Sequence, residues 1–204
     1  MVTVYGSTPS GNCWKVRQIL ELVGQPYRWV ETNSNAGETR TAAFLTKNPN
    51  GKVPLVELED GALITESNAI LAYFAEGTTW LPMPGLARTR VFEWLFFEQY
   101  SHEPYVAVAR NWIRFLNAKE RYADRLPEIW ERGHRALGVM ENRLRAHRWL
   151  TDSGMTIADL ALFAYTHVAD EGEFDLNRYP GIRDWLSRIL EDPAIRPLSR
   201  PTVG

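Results

Sequence analysis

Residues 48–58 of the chain read NPNGKVPLVEL, a polar turn that runs through a proline into an apolar strand. A proline that opens a strand after a β-branched residue is where a cis peptide bond often lies, so the bond between Val53 and Pro54 is a candidate. Such a kink would turn the backbone N–H and C=O of Val53 outward, where they can pair with an extended, peptide-like ligand. Taken by itself, the segment is better explained as an ordinary loop, and its significance depends on the elements around it.

The segment lies within an alternation of strands and helices that occupies the first third of the chain. Apolar patterning predicts strands at 2–5, 26–32, 53–58 and 62–65, and helices at 12–24, 38–47 and 66–76. The last two strands are joined by Glu59-Asp60-Gly61, which is a hairpin signal. The order β-α-β-α-β-β-α with short connections predicts one compact α/β sheet.

The pattern changes after Gly77. Residues 78–85 contain two prolines and a glycine, which is typical of a linker. Beyond residue 85 the apolar residues follow a helical periodicity. Long helices are predicted at 86–117 and 122–147, and shorter ones at 156–168 and 181–190. Pro104 should bend or split the first of these. The sequence therefore predicts an α/β domain over 1–77, a linker over 78–85 and an all-helical domain over 86–204.

The composition favours a soluble, cytoplasmic protein. The 204 residues are 45% hydrophobic, enough for a packed core, and a net charge of −2 gives no support for a nucleic-acid or membrane partner. A single cysteine excludes an internal disulfide and fits a reducing compartment. The four histidines and one cysteine show no metal-ligand spacing, so we expect no metal. The first residues are strand-like and no stretch approaches the length of a membrane span, so we expect neither a signal peptide nor a membrane helix.

A crowded polar turn precedes the first predicted helix, where residues 7–17 read STPSGNCWKVR. A helix N-terminus stabilises an anion, so a side chain here can either cap the helix or assist a bound thiolate. For Ser10 the turn alone favours capping. Cys13 follows Ser10 by three residues in an S-x-x-C arrangement, which excludes dithiol chemistry and predicts a packed thiol.

A second polar cluster, Thr65-Glu66-Ser67-Asn68, opens the helix predicted at 66–76. Thr65 is a candidate N-cap, and Glu66 in the first turn suits the helix dipole. A carboxylate, a hydroxyl and unpaired N–H groups also form a socket for a ligand that carries both an amine and a carboxylate. The turn at 7–17, the proline segment at 48–58 and this cluster are each weak signals alone. Together, in this β-α-β-α-β-β-α frame, they are a strong signal.

The combination resembles the cytosolic glutathione transferases over essentially the whole chain, which implies a thioredoxin-like N-terminal domain followed by an all-α domain. SGNCWKVR is similar to the active-site turn of the serine-type theta and zeta classes, which implies a bacterial member of this type. NPNGKVP resembles the family's cis-proline loop, and TESNAI resembles its γ-glutamyl-binding Glu-Ser pair. Thr156 and Asp159 form a capping box that is a family hallmark with a role in folding.

The resemblance implies that glutathione is a co-substrate whose thiolate is stabilised by a hydrogen bond from the first turn. Ser10 is the favoured catalytic donor, Asn12 is the second candidate and Thr8 the third. Five residues are implied to bind glutathione: Lys52 at the glycyl end, Val53 and Pro54 at the cysteinyl backbone, and Glu66 and Ser67 at the γ-glutamyl end. The loop at 33–40 departs from many relatives, since Arg40 is its only candidate for the glycyl carboxylate.

A small hydrophobic electrophile is implied as the second substrate, held between the domains against the first long helix. Glu98, His102, Tyr105 and Trp112 follow one another at spacings of four, three and seven and could share a face, although packing explains such spacing as well. The implied activity is a detoxifying glutathione transferase that forms a homodimer. The alternatives are a glutathione-dependent isomerase, dehalogenase or peroxidase, and a non-catalytic glutathione-binding module.

Overall fold

The computed structural model describes residues 1–198. They form two compact units, one made of Met1–Thr78 together with Leu198 and the other of Thr79–Pro197. The chain therefore divides at the beginning of the segment that was predicted as a linker, and most of that segment groups with the second unit. Trp80 illustrates this, because its carbonyl accepts a 3.0 Å hydrogen bond from the N–H of Ile157. Residues 199–204, the end of the predicted helical domain, lie outside the described residues.

The first unit is a four-stranded sheet with helices, in the predicted order. Its elements are β1 (Val2–Gly6), α1 (Gly11–Leu22), β2 (Tyr27–Glu31), a 3₁₀ turn (Glu38–Arg40), α2 (Ala42–Lys47), β3 (Leu55–Glu57), β4 (Leu63–Thr65) and α3 (Ser67–Ala75). The strand order is β2-β1-β3-β4, with β2 parallel to β1 and the other pairs antiparallel. This is the thioredoxin-like arrangement that the sequence predicted.

The core of this unit follows from the apolar patterning. Val2 and Val4 alternate along one face of β1, and Val16 and Leu20 fall one turn apart on α1. Together with Val56 and Ile70, they form one buried apolar cluster between the sheet and its helices. Burial of each side chain of this size stabilises the folded state by about 1.5–3 kcal/mol, before the entropy cost of ordering it is subtracted.

The second unit is helical. It contains α4 (Leu86–Phe97), α5 (Glu103–Arg110), α6 (Leu126–Leu144), α7 (Ile157–Thr166) and α8 (Pro180–Leu190), with π-helical segments at Glu98–His102 and Asn111–Phe115 and 3₁₀ turns at Glu120–Tyr122, Ala169–Gly172 and Leu176–Arg178. Within residues 1–198, no helix combines the length and the apolar character that a membrane crossing requires.

Pro104, which was predicted to bend or split the first long helix, lies where α4 and α5 are joined by a π-helical turn. Proline has no N–H to donate to the carbonyl four residues earlier, so the α-helical ladder is interrupted there. The N–H of Glu103 reaches back five residues to the carbonyl of Glu98, which closes a π-helical turn between α4 and α5. The helix therefore continues past the proline with one extra residue in its turn.

Helix α7 is the buried centre of the second unit, and all ten of its residues are buried. The predicted capping box at its start is confirmed. Asp159 accepts hydrogen bonds from the backbone N–H groups of Thr156 and Leu150, at 3.0 and 3.2 Å. It also accepts one from the indole N–H of Trp185 on α8, at 2.9 Å. One carboxylate thus joins α7 to the preceding loop and to a neighbouring helix.

We expect Asp159→Ala to destabilise the protein by about 3 kcal/mol, because three buried N–H groups lose their acceptor at once. The measurement is chemical denaturation followed by tryptophan fluorescence. Asp184→Ala, at an exposed position on α8, is the control and should change the unfolding free energy by less than about 0.5 kcal/mol. Equal effects of the two changes would contradict the proposed structural role.

Candidate functional site

Three loops meet at one edge of the sheet because of the strand register. Tyr5, near the end of β1, lies opposite Leu55 at the start of β3, and Leu55 lies opposite Thr65 at the end of β4. The turn before α1, the loop before β3 and the start of α3 therefore all leave the sheet at this edge. These are the three segments in which the sequence placed the catalytic and glutathione-binding residues.

Ser10 is the N-cap of α1, as the turn alone suggested. Its backbone is extended and its Oγ accepts a 3.3 Å hydrogen bond from the N–H of Cys13. This bond uses a lone pair of the hydroxyl oxygen and leaves the hydroxyl hydrogen for another acceptor. Capping and donation to a bound sulfur are therefore compatible at this residue.

Cys13 is a packed residue, and the prediction that it is not a nucleophile agrees with its surroundings. Its side chain is fully buried, and its sulfur accepts a 3.3 Å hydrogen bond from the N–H of Ser7. Burial raises the pKa of the Cys13 thiol to about 11, although hydrogen bonds from Ser10 and Ser7 act in the opposite direction. The thiol stays protonated at neutral pH and lacks the thiolate character of a reactive cysteine.

Thr8 is anchored to the end of β2 by Glu31. The Thr8 hydroxyl donates to one carboxylate oxygen at 2.6 Å and its backbone N–H donates to the other at 2.9 Å. The indole N–H of Trp29 donates to the same carboxylate at 2.9 Å. Burial raises the pKa of Glu31, but hydrogen bonds from Thr8 and Trp29 outweigh it and lower the pKa overall. The hydroxyl hydrogen of Thr8 is thus directed at an ionised carboxylate.

Asn12 and Ser67 are brought into direct contact across α1 and α3. The Ser67 hydroxyl donates to Oδ1 of Asn12 at 3.2 Å. Lys15, which the sequence analysis missed, lies beside them, with its Nζ 3.5 Å from the Ser67 Oγ and 3.3 Å from Oδ1 of Asn68. The available signal was a lysine inside the apolar stripe of α1, three residues after Asn12 and therefore on the same side of the helix.

Helix α3 begins one residue later than predicted. Its first residue is Ser67, and Glu66 occupies the N-cap position with φ 66° and ψ 114° and no side-chain capping bond. The prediction that Thr65 caps this helix is therefore wrong. A positive φ is uncommon for a residue other than glycine and occurs often at ligand-binding positions. The backbone at Glu66 leaves its side chain exposed at the sheet edge.

The loop before β3 has the predicted cis peptide bond between Val53 and Pro54. Asn48 shapes the loop, since its side-chain amide donates to the Lys52 carbonyl at 2.8 Å and its Oδ1 accepts from a backbone N–H within the loop. Arg40 lies against the same loop, with its Nη1 3.4 Å from the Asn50 carbonyl. The side chain of Lys52 is exposed, so Lys52 and Arg40 put two cations at this loop.

The three residues predicted to face a second substrate each contact another side chain of the helical unit. His102 is fully buried and its Nε2 lies 3.0 Å from Oγ1 of Thr166. The Tyr105 hydroxyl accepts a 3.0 Å hydrogen bond from Arg132, and the Trp112 ring stacks on that of Tyr122 at 4.0 Å. His102 is therefore a packed residue, which the alternative interpretation of this spacing expected, and contact of Tyr105 and Trp112 with a second substrate stays a prediction.

The charged groups of the second unit form pairs rather than a metal site. Arg110 and Glu171 make a buried ion pair at 2.6 Å. Asp159 is committed to the capping box described above. Across residues 1–198, no three His, Cys, Asp or Glu side chains are arranged to hold a metal ion.

We expect Cys13 to resist alkylation in the folded protein, because burial keeps its pKa near 11 and its thiol protonated between about pH 7 and 9. Mass spectrometry after iodoacetamide treatment should show unmodified native protein and one modified site after denaturation. Since the folded pKa exceeds that of an unfolded cysteine, wild type should also lose stability relative to Cys13→Ala as the pH rises above about 9. Rapid stoichiometric labelling of the native protein at pH 7 would contradict this description.

Comparison with solved structures gives close matches over nearly the whole chain. A glutathione S-transferase from Xanthobacter autotrophicus py2 is 55% identical, with a TM-score of 0.94 and 97% of each chain covered. The structure of Ure2p in complex with glutathione is 26% identical, with a TM-score of 0.84, covering 95% of this chain and 96% of that chain. The transcriptional regulator URE2 of Saccharomyces cerevisiae is 26% identical, and the match covers 95% of this chain and 66% of that protein.

The family comparison covers both units. Residues 9–76 match the family described as glutathione S-transferase, N-terminal domain. Residues 97–193 match the family described as glutathione S-transferase, C-terminal domain. The matched ranges contain the turn at Ser10, the cis-proline loop, the start of α3 and the capping box of α7. The chain belongs to the glutathione S-transferase family.

Proposed function

We propose that the protein binds glutathione and activates its thiol for attack on a small hydrophobic electrophile. The observation that carries the proposal is the hydrogen bond between Ser67 and Asn12. It puts the residue assigned to the γ-glutamyl end of glutathione in contact with the turn assigned to its sulfur. Structural relatives in complex with glutathione support the choice of ligand.

The assignment of the ligand's three parts follows the sheet edge. Glu66 and Ser67 take the γ-glutamyl end, where the exposed N-terminus of α3 favours a carboxylate and the Glu66 side chain suits an amine. Val53, which precedes the cis Pro54, pairs its backbone with that of the cysteinyl residue. Lys52 holds the glycyl carboxylate, and Arg40, which lies against the same loop, adds a second positive charge.

The chemistry requires the thiol of glutathione to lose its proton to solvent and its sulfur to form a bond to the electrophilic carbon, which releases its leaving group. A free thiol of this type has a pKa of about 8.5, so little thiolate is present at neutral pH. Lowering that pKa by one or two units corresponds to roughly 1.4–2.7 kcal/mol, which a hydrogen bond and the N-terminus of α1 can supply.

Ser10 and Asn12 are the proposed donors to the sulfur, and Ser10 makes the enzyme serine-type. The Ser10 hydroxyl hydrogen is not used by the capping bond, and the Asn12 amide lies one residue inside the helix. Thr8 is the weakest of the three candidates, because its hydroxyl hydrogen is directed at Glu31. Reassigning it to a sulfur would break a charge-assisted hydrogen bond.

A second candidate function is a glutathione-binding module without turnover. The relative named transcriptional regulator URE2 favours it, since the match covers 95% of this chain. A specialised isomerase, dehalogenase or peroxidase would use the same activated thiol. Binding is common to all of these proposals, and turnover with a panel of electrophiles and peroxides separates them.

We also propose that the protein is a cytoplasmic homodimer. Phe96 and Tyr100 on the helical unit are 71% and 84% exposed, which is unusual for large aromatic side chains outside an interface. Tyr100 also lines a cavity of about 200 Å³, together with Phe97, Ser101, Tyr105, Arg132, Arg135, Ala136 and Val139. A single buried cysteine suits a reducing compartment.

We expect isothermal titration calorimetry to show glutathione binding by wild type. Ser10→Ala should raise the pKa of the bound thiol by about one unit, with a roughly tenfold loss of turnover below that pKa and little change in affinity. The bound-thiol pKa is measured from the pH dependence of thiolate absorbance. Thr8→Val is the control and should leave that pKa unchanged.

The outcomes separate the proposals. If wild type binds no glutathione, the proposed function fails. Unchanged thiol pKa and turnover in Ser10→Ala would remove Ser10 from the role, and a loss in Asn12→Ala would then assign it to Asn12. Binding without turnover of any electrophile or peroxide would favour the non-catalytic module.

We expect size-exclusion chromatography with light scattering to give twice the mass of the chain. The double variant Phe96→Glu, Tyr100→Glu should give the monomer mass, because two charges would be buried without partners at the interface. Met83→Glu, at a side chain that is 75% exposed, is the matched control and should remain dimeric. A wild type of monomer mass at high concentration would contradict the proposal.

A further inference from the structure

Gly51 is a buried glycine in the loop before β3, and the side chain of Arg40 lies directly against it. A β-carbon at Gly51 would be 2.6 Å from Nη1 and 3.0 Å from Cζ of the Arg40 guanidinium. Both distances are well inside van der Waals contact, which is most favourable at about 3.5–4.0 Å between carbon atoms. Only a residue without a side chain therefore leaves room for Arg40 in this position.

The backbone on both sides of this contact is held in place. Arg40 ends a 3₁₀ turn in which its N–H donates to the Gly37 carbonyl at 2.9 Å. The N–H of Gly51 donates to the Asn48 carbonyl at 2.9 Å. Thr39 is buried, and its carbonyl oxygen would lie 3.0 Å from the same β-carbon. A side chain added at Gly51 would therefore be accommodated chiefly by a shift of the Arg40 guanidinium, which is the mobile end of a long side chain.

The Arg40 guanidinium keeps most of its hydrogen-bond donors for a ligand. A guanidinium has five N–H groups, and Nη1 donates to the Asn50 carbonyl at 3.4 Å. Glu38, the acidic residue of the same 3₁₀ turn, accepts a 2.6 Å hydrogen bond from the N–H of Asn33. Among residues 1–198, no carboxylate forms an ion pair with Arg40 or with the exposed Lys52. The loop before β3 therefore has two cations without a counter-charge from this part of the chain.

We propose that Gly51 is a positioning residue, which by having no side chain lets Arg40 meet the terminal carboxylate of the ligand together with Lys52. An arginine fork can hold both oxygens of a carboxylate, whereas an ester offers it no negative charge. Gly51 and Arg40 thereby select glutathione over analogues in which the glycyl carboxylate is blocked. The inference rests on the proposed function, and it gives Gly51 a part in ligand selection that its place in a turn does not require.

The test is the preference for free glutathione over glutathione monoethyl ester, in which the glycyl carboxylate is esterified. Isothermal titration calorimetry gives both dissociation constants, and a change in overall stability alters the two alike and leaves their ratio unchanged. Wild type should bind glutathione about thirtyfold more tightly than the ester, because two cations lose a charged partner. Arg40→Met should reduce this preference about tenfold, because the fork is lost while most of the apolar stem remains.

Gly51→Ala should reduce the preference about as much as Arg40→Met, because the added methyl group displaces the guanidinium. Gly61→Ala is the matched control, since Gly61 has a φ of 85°, close to the 62° of Gly51. Apart from its neighbours in the chain, no atom of residues 1–198 would lie within 4 Å of a β-carbon at Gly61. Both changes strain the backbone, but Gly61→Ala should leave the preference within about twofold of wild type. Equal losses in the two variants would overturn the proposal.

A double variant distinguishes one shared effect from two independent ones. In the Arg40→Met background, Gly51→Ala should change the preference by less than about twofold, because the group that it displaces is absent. Full additivity would overturn the proposal, as would an unchanged preference in Gly51→Ala. Should Gly51→Ala fail to fold, Gly51→Asn takes its place with Gly61→Asn as its control, since asparagine tolerates a left-handed backbone and also carries a β-carbon.

The two ligands also separate failure of this inference from failure of the proposed function. If wild type binds glutathione and the ester equally well, the proposed function stands and the role of Gly51 and Arg40 is overturned. If the full preference survives in Arg40→Met, the carboxylate is held by Lys52 alone and the role is again overturned. If wild type binds neither ligand, the proposed function fails and the inference fails with it.

Discussion

The antiparallel pairing of β3 with both β1 and β4 determines where every candidate binding residue of the first unit can lie. With Tyr5 opposite Leu55 and Leu55 opposite Thr65, the ends of β1 and β4 and the start of β3 share one edge. A slip of one residue in either pairing would turn the alternating side chains to the other face of the sheet. The buried cluster around Val4 and Val56 opposes such a slip. The strand register that buries this core therefore also determines where the candidate binding residues lie.

Features that depend on near neighbours in the chain could be predicted from the sequence. The order of strands and helices follows from apolar periodicity, and the capping box follows from the three-residue spacing of Thr156 and Asp159. A proline at the start of a strand made the Val53-Pro54 bond a candidate for the cis form, and the resemblance to the family's cis-proline loop then implied it. The packing of Cys13 was predicted because the partner position for dithiol chemistry holds a serine.

Features that depend on distant parts of the chain could not be predicted. The contact of Lys15 on α1 with Ser67 on α3 joins residues more than fifty positions apart, so local sequence patterns contain no sign of it. The π-helical segments at Glu98–His102 and Asn111–Phe115 were not predicted, because the residue spacing of an ideal helix contains no sign of them. Glu66 replaces Thr65 at the start of α3 because the backbone there has a positive φ, which the residue types alone do not require.

The carboxylate of Glu31 has a consequence for binding thermodynamics. It holds the Thr8 backbone and hydroxyl, and the indole of Trp29 holds the carboxylate in turn. The turn before α1 is therefore preorganised by the protein's own hydrogen bonds before any ligand arrives. Ordering a free loop reduces affinity, because its conformational entropy is lost on binding. A ligand that docks against this turn does not incur that cost, because the turn lost its conformational entropy when the chain folded.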